Sequence, residues 1–407
     1  MNLFAIRREN IMKDLGNNSI VVLFSSDNIK TGDLFNVNRN FYYLTGIDEP
    51  NCVLLITNIN EKINSQLFIL PQDPVQAKWV GDRITGKEAI ETSGVNGIQS
   101  YYQFEESFTA LLNKIRAHQD ILIYLDLWTE EGIITKSNML AGKLRKEYPA
   151  YAVCDFFPIA AQYRLIKDEA EITCINHAIS ITDLGVQSMM KTIKPHMNEM
   201  SLEGVFAFTL FQNKCNKTAF KTICASGPRA TILHYQENNQ DIQDGEMLLC
   251  DLGATYKNYC ADISRTFPAN GKFTPRQKEL YNIVLEAQNI VQKNAVVGTN
   301  IKKLTELVID YYKQELPKHN LKKDVSEYFY HSVSHHLGLD IHDIDGGLGD
   351  ELKAGMVITN EPGLYVADEG IGIRIEDDLL ITSTGAQCLS EKIVKKPEDI
   401  EALMKKY

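Results

Sequence analysis

In the stretch DLGATYKNYCAD, two aspartates, Asp251 and Asp262, stand on either side of a short segment of turn-forming residues. The flanking runs EMLLCDLG and YCADISRTF are β-rich, so the stretch predicts two strands joined at ATYKN. A two-residue loop at Tyr256 and Lys257 would make the aspartates direct cross-strand partners. A loop at Lys257 and Asn258 would make them diagonal neighbours on one face, and a three-residue loop would send them to opposite faces. Like charges facing each other destabilise a hairpin and raise one carboxyl pKa. A cation between them removes both problems; the plain alternative is a pair of solvated carboxylates.

Two further acids are placed to face a cleft. MVITNEPG ends an apolar strand at Glu361, where Pro362 and Gly363 turn the chain. IGIRIEDD alternates, with Ile371, Ile373 and Ile375 on one face and Arg374 and Glu376 on the other. A histidine cluster, HSVSHHLGLDIHD, lies between these regions. His331 and His335 have the spacing of an H-E-x-x-H helix, but Ser332 stands where its glutamate would be. The alternation of Leu337, Leu339 and Ile341 favours an extended chain there. Four carboxylates and one imidazole from this cluster form a hard, oxygen-rich donor set. Its charge suits two divalent cations, Mn²⁺ first, with Co²⁺ or Zn²⁺ as alternatives. Paired cations generate hydroxide at neutral pH and polarise a carbonyl, so the chemistry expected is metal-assisted hydrolysis.

These acids need a scaffold. The chain has 407 residues, enough for two or three domains. A 44% hydrophobic content supports packed cores, and a net charge of −11 argues against nucleic acid as a partner. No run is long and apolar enough for a signal peptide or a membrane span, so no membrane association and a cytoplasmic location are expected. Eight scattered cysteines without a C-x-x-C pair read as free thiols, with a soft zinc site near Cys224, Cys250 and Cys260 as a minor alternative. Residues 1–158 alternate strands (SIVVLFSS, CVLLIT, LFIL, ILIYLDL) with helices, predicting a mixed or parallel sheet with no catalytic constellation. A domain boundary is expected near Pro158. Residues 159–407 open with one long amphipathic helix ending at Pro195, then a helix over 199–216. Thr274, Pro275 and Gln277 start another helix that Gly298 stops, and a further one covers 301–316. Helix, helix and strand pair thus recur twice, an internal two-fold repeat that would set the two strand pairs side by side.

DLGATYKNYCADISRTF, HSVSHHLGLDIHD, TNEPGLY and IRIEDD together resemble the pita-bread metallopeptidases, specifically aminopeptidase P and prolidase. NFYYLTGIDEPNCVLLI is similar to the creatinase-type N-terminal domain of that group, and YRLIKDEAEI to the start of its catalytic domain. The resemblance covers nearly the whole chain. It implies an α/β N-terminal domain and an α+β pita-bread catalytic domain. It implies Asp251, Asp262, His335, Glu361 and Glu376 as ligands of two metal ions whose bridging hydroxide attacks the scissile carbonyl, with Glu361 also a base or proton carrier. His234 would bind substrate and handle protons, His342 would stabilise the tetrahedral intermediate, and His331 would line the pocket near proline. Arg374 and Tyr365 would orient Glu376 and Glu361, with Arg374 also counted among the catalytic residues and Tyr365 among those that bind substrate. His118, His177, His196, His319 and His336 are expected to be solvated or hydrogen-bonded bystanders. Ser332 and His336 depart from the residues usual at their positions and bear on pocket shape. The implied activity is release of the N-terminal residue from Xaa-Pro peptides. Cleavage of Xaa-Pro dipeptides is the alternative, and a metal-free binding module of the same fold a remote one. Homodimers or homotetramers are expected.

Overall fold

The computed structural model describes residues 2–26, 35–118, 120–129, 133–345, 347 and 351–405. The chain divides into two compact units, Met1–Ala161 and Gln162–Tyr407. In the first, the elements run α1 (Leu3–Leu15), β1 (Ser19–Phe24), α2 (Arg39–Thr45), β2 (Val53–Ile59), β3 (Lys62–Ile69), α3 (Pro74–Val80), α4 (Gly86–Ser93), β4 (Gly97–Ser100), α5 (Phe104–Lys114), β5 (Leu122–Leu125), α6 (Lys136–Glu147) and β6 (Ala152–Asp155). Among the described residues the strands form one mixed sheet in the order β4-β3-β2-β1-β5-β6. β1 runs antiparallel to β2 and parallel to β5. Ile20, Val22, Val53, Leu55 and Phe68 pack with Phe104, Phe108 and Leu112 of α5 in its core. β1 is buried over most of its length, which is why it reads as a continuous apolar run.

Helix α7 (Phe157–Leu165) spans the division between the units. The second unit continues with α8 (Glu169–Thr192), α9 (Glu199–Gln212), β7 (Ile223–Ser226), β8 (Met247–Leu252), β9 (Thr255–Tyr256), β10 (Tyr259–Cys260) and β11 (Ile263–Pro268). Then come α10 (Pro275–Asn294), α11 (Ile301–Glu315), β12 (Val357–Asn360), β13 (Gly363–Val366), β14 (Ile371–Arg374), β15 (Asp377–Thr382), β16 (Gly385–Cys388) and α12 (Pro397–Met404). Each helix pair is followed by a strand group, as the repeat predicts. α8 and α9 approach closely at Gly185, where a Cβ would lie 2.4 Å from the Phe206 ring.

Four expectations need correction. The single helix expected up to Pro195 is two, because the chain leaves α7 after Leu165 and restarts at Asp168. The Asp168 side chain accepts the Glu171 N–H, the Glu171 carboxylate accepts the Asp168 N–H, and this capping box overrides the helical periodicity across the break. Helix α9 ends at Gln212, not Asn216, and α10 ends at Asn294, before Gly298. The broad strands expected around Glu361 and Glu376 are each split in two, with β12 paired to β15 and β13 to β14.

The break after α7 has a structural use. Arg164 and Lys167 are almost fully buried, and both pair with the buried carboxylate of Asp343. Arg164 also reaches Asp340 at 2.8 Å. These cations hold the Asp343 carboxyl below its usual range despite the burial that opposes them. They anchor the far end of the irregular segment that carries the histidine cluster.

Candidate metal centre

Three of the acids sit where a β-ladder is interrupted. Asp262 falls between β10 and β11, Glu361 between β12 and β13, and Glu376 between β14 and β15. The same register runs through both halves of the second hairpin, so Glu361 and Glu376 face each other across the gap. In the first hairpin the turn is at Lys257 and Asn258, whose φ values of 48° and 64° suit a type I′ turn. Asp251 therefore pairs with Ser264, and Asp262 is its diagonal neighbour on the same face, not its direct partner. A third strand, β7, runs along the other side of β8 and places Ile223 opposite Asp251.

The two strand groups face one cavity of about 490 Å³. Asp251, Asp262, His335, Glu361 and Glu376 line it, together with His234, His331, His342 and Arg374. Phe220, Ile223, Leu233 and Ile341 are apolar parts of its wall. Tyr365 stands behind it, reached through His331 and Arg374. Of the expected bystanders, His319 bridges Glu279 and Glu315, and His177 lies against the Tyr256 ring.

Several features fit divalent cations. One donor atom each from Asp262, His335 and Glu376 lie within 4.8 Å of one another. His335 Nδ1 lies 3.0 Å from the His336 carbonyl, which can only accept, so Nδ1 carries the proton. Its Nε2 lone pair then faces Asp262 Oδ2 at 3.4 Å and Glu361 Oε1 at 3.5 Å. A proton or a metal cation between them relieves this opposition, and a metal relieves it for all three groups at once. Burial lowers the His335 pKa to about 4, which keeps the ring neutral as a ligand must be. Asp251 Oδ1 and Asp262 Oδ1 are buried with no hydrogen-bond donor. Burial, reinforced by neighbouring acids, holds the Asp262 and Glu376 carboxyls far above their usual range. Burial likewise pushes Glu361 up to about 8, opposed by Arg374. Among the described residues no cysteine joins this cluster, and the soft zinc site has no support.

Hydroxyl groups with no role in the sequence analysis orient these side chains. Ser264 donates to Glu376 at 2.7 Å and accepts from Arg374 Nε at 2.9 Å. Arg374 also reaches Asp251 at 2.6 Å and Tyr365 at 3.0 Å. The Thr359 hydroxyl accepts the His335 N–H and donates to Glu361 Oε1. Behind Asp262, the buried Asp378 carboxylate accepts its backbone N–H at 3.3 Å. Strand alternation was the available signal: Ser264 and Thr359 each sit two residues from a ligand, on the ligand's face. His336 was expected to be a bystander; its side chain is not a ligand, yet its carbonyl orients His335 and accepts the Asp343 N–H.

Two repeated helix-and-strand halves around a carboxylate-rich cavity define a hydrolase of the pita-bread type, built for divalent cations. The metallopeptidase family M24 profile matches residues 173–383, and the aminopeptidase P N-terminal domain profile matches residues 4–121. The chain is 34% identical to an Escherichia coli Xaa-Pro aminopeptidase, covering 98% of this chain and 97% of that protein. It is 31% identical to human Xaa-Pro aminopeptidase 3, covering 95% and 80%. A zinc-substituted E. coli aminopeptidase P solved with product superposes with a TM-score of 0.90 at 31% identity, covering 99% of this chain and 98% of that one. The chain belongs to metallopeptidase family M24. It is a hydrolase that uses divalent metal ions and acts on peptides.

Proposed function

We propose that this chain is an Xaa-Pro aminopeptidase, cleaving the bond before a proline at the second position of a peptide. The observation that carries the reading is the convergence of Asp251, Asp262, His335, Glu361 and Glu376 in one cavity with three histidines beside them. Near full-length likeness to proteins called Xaa-Pro aminopeptidase supports it. The five ligands would hold two divalent cations, with Mn²⁺ proposed from the hardness of the donors. Bound there, such ions make a nucleophile of water at neutral pH and polarise the scissile carbonyl.

The protein groups divide the remaining tasks. Glu361, held by the Thr359 hydroxyl at the cavity wall, is placed to take and return a proton at its carboxyl oxygens. His331 uses both ring nitrogens. Nδ1 donates to the Ser332 carbonyl at 2.7 Å, and Nε2 accepts from Tyr365 Oη at 2.9 Å. Burial and the nearby Arg374 lower its pKa to about 3, so it presents a neutral ring, suited to packing against proline. His342 packs edge-on to His335 at 4.4 Å and leaves a ring nitrogen for the carbonyl oxygen as it gains charge. His234 faces the same cavity and is assigned to binding substrate and handling protons. A homodimer or homotetramer belongs to the same proposal, on the motif resemblance.

Xaa-Pro-Yaa peptides and Xaa-Pro dipeptides, compared with Mn²⁺ and after chelation, test the reading. Faster cleavage of the longer peptides, dependent on metal, is expected. A strong preference for dipeptides would make the chain a dipeptidase instead, and metal-independent cleavage would contradict both.

A further inference from the structure

His234 and its neighbours Leu233 and Gln236 reach the cavity from the long connection between β7 and β8, whose regular part is a short 3-10 turn over Gly227–Thr231. A loop this long, without a regular ladder, does not hold a side chain in place unless something clasps it. One buried carboxylate does. Glu199, in the first turn of α9, is fully buried. Its Oε1 accepts the Ser226 N–H at 2.8 Å, the Ser226 hydroxyl at 2.7 Å and Arg229 Nε at 3.2 Å. Its Oε2 accepts the Tyr235 hydroxyl at 2.8 Å and the Gln240 N–H at 3.1 Å. Ser226 closes β7 and Gln240 lies near the return to β8, so a single side chain ties both ends of the loop together. The Tyr235 contact reaches the residue next to His234.

A second acid one turn along α9 extends the grip. Glu203 accepts Asn238 Nδ2 at 2.9 Å, and Asn238 also donates to the Thr222 carbonyl and accepts the Cys224 N–H. Asn238 has φ of 46°, a left-handed conformation these bonds hold in place. The face of α9 toward the loop is thus acidic, with Glu199 buried and Glu203 half-buried, and the loop turns its N–H and O–H groups toward it. A buried carboxylate as well satisfied as Glu199 is costly to replace, since each lost acceptor strands a donor.

We propose that Glu199 is a positioning residue for catalysis: it fixes the loop that presents His234 to the substrate, and it acts through His234. The proposal rests on the substrate-facing role given to His234 above.

The test is a double-mutant cycle on the metal-loaded enzyme with an Xaa-Pro-Yaa peptide. Variants Glu199→Gln, Tyr235→Phe and His234→Ala are measured alone and in combination, with kcat, KM and bound metal read for each. Glu199→Gln is expected to lower kcat/KM by on the order of 10²-fold, the effect of about 1 Å of misplacement. Tyr235→Phe removes one contact and is expected to lower it by a smaller factor. Added to His234→Ala, either change should have little further effect, and metal content should stay at the wild-type level. If Glu199→Gln does not fold, the Tyr235→Phe arm decides by the same criterion. Additive losses, or metal loss with Glu199→Gln or Tyr235→Phe, would overturn the positioning role, as would a silent His234→Ala beside an impaired Glu199→Gln. Failure of the wild-type enzyme to cleave the peptide would instead overturn the functional reading.

Discussion

Asp262→Ala and Glu376→Ala are each expected to abolish peptide hydrolysis while the protein still folds. Asp262 and Glu376, with His335, form the tightest donor group in the molecule's described part. Outer partners of metal ligands typically cost about 10–100-fold when removed. Loss of either carboxylate, a direct ligand in the proposed site, should exceed that range. The fold should survive because neither side chain anchors packing. Each is held in a crowd of like charge, with the carboxyl well above its usual pKa from burial and from neighbouring acids. Glu376 does lose its Ser264 contact, but Ser264 keeps its bond with Arg374. Steady-state kinetics beside thermal unfolding checks this. A variant with near-wild-type kcat would refute the ligand assignment, and one that fails to fold would refute the view that the site is held by its surroundings.

Removing the metals should make stability fall as pH rises from about 6.5 to 8. Glu361, normally near 4.5, is pushed to about 8 in the folded chain by burial. Such a group binds its proton more tightly folded than unfolded. Its stabilising contribution is complete below the unfolded value and is lost as pH rises through the folded one. Asp262 and Glu376 shift in the same direction. His331 and His335 shift the opposite way, to about 3 and about 4, so their contribution grows with pH only up to the ordinary histidine value of 6.5. Above 6.5 the carboxyls dominate. His319 is raised by its bond to Glu279 and also loses stability as pH rises, but equally with or without metal. The difference between chelated and Mn²⁺-loaded protein therefore isolates the site. One carboxyl titrating across this window is worth on the order of 2 kcal/mol. In a unit of this size that is about 5 °C of melting temperature. Calorimetry in chelator should show this decline, and Mn²⁺ should remove it. A chelated protein whose stability is flat or rising over the window would contradict the crowded-carboxylate picture.

Much of this was readable before any coordinates. The mixed sheet of the first domain followed from apolar strand runs, and the start of α10 from Thr274, Pro275 and Gln277. Face-sharing of Asp251 and Asp262 depended on the turn, which the sequence left open, since it is set by which residues take left-handed φ. Lys257 and Asn258 do so, and asparagine's tolerance for that region is a signal for the later loop that the sequence analysis did not use. The split strands were missed because a ladder interruption needs only one or two residues, below the reach of periodicity. Those interruptions are where Asp262, Glu361 and Glu376 stand. Likewise Glu199 looked like an ordinary first-turn acid. Its bonds reach loop residues distant in sequence, which no local pattern encodes. The same holds for Arg164 and Lys167, whose partner Asp343 sits at the end of the histidine segment.

Anomalous scattering from crystals grown with Mn²⁺ would test the central claim most directly. Two peaks about 3.5–4 Å apart are expected. Asp251, Asp262 and Glu376 should contact them, with His335 and Glu361 completing the coordination. Peaks elsewhere in the chain, or no ordered metal among these five residues in an active enzyme, would contradict it.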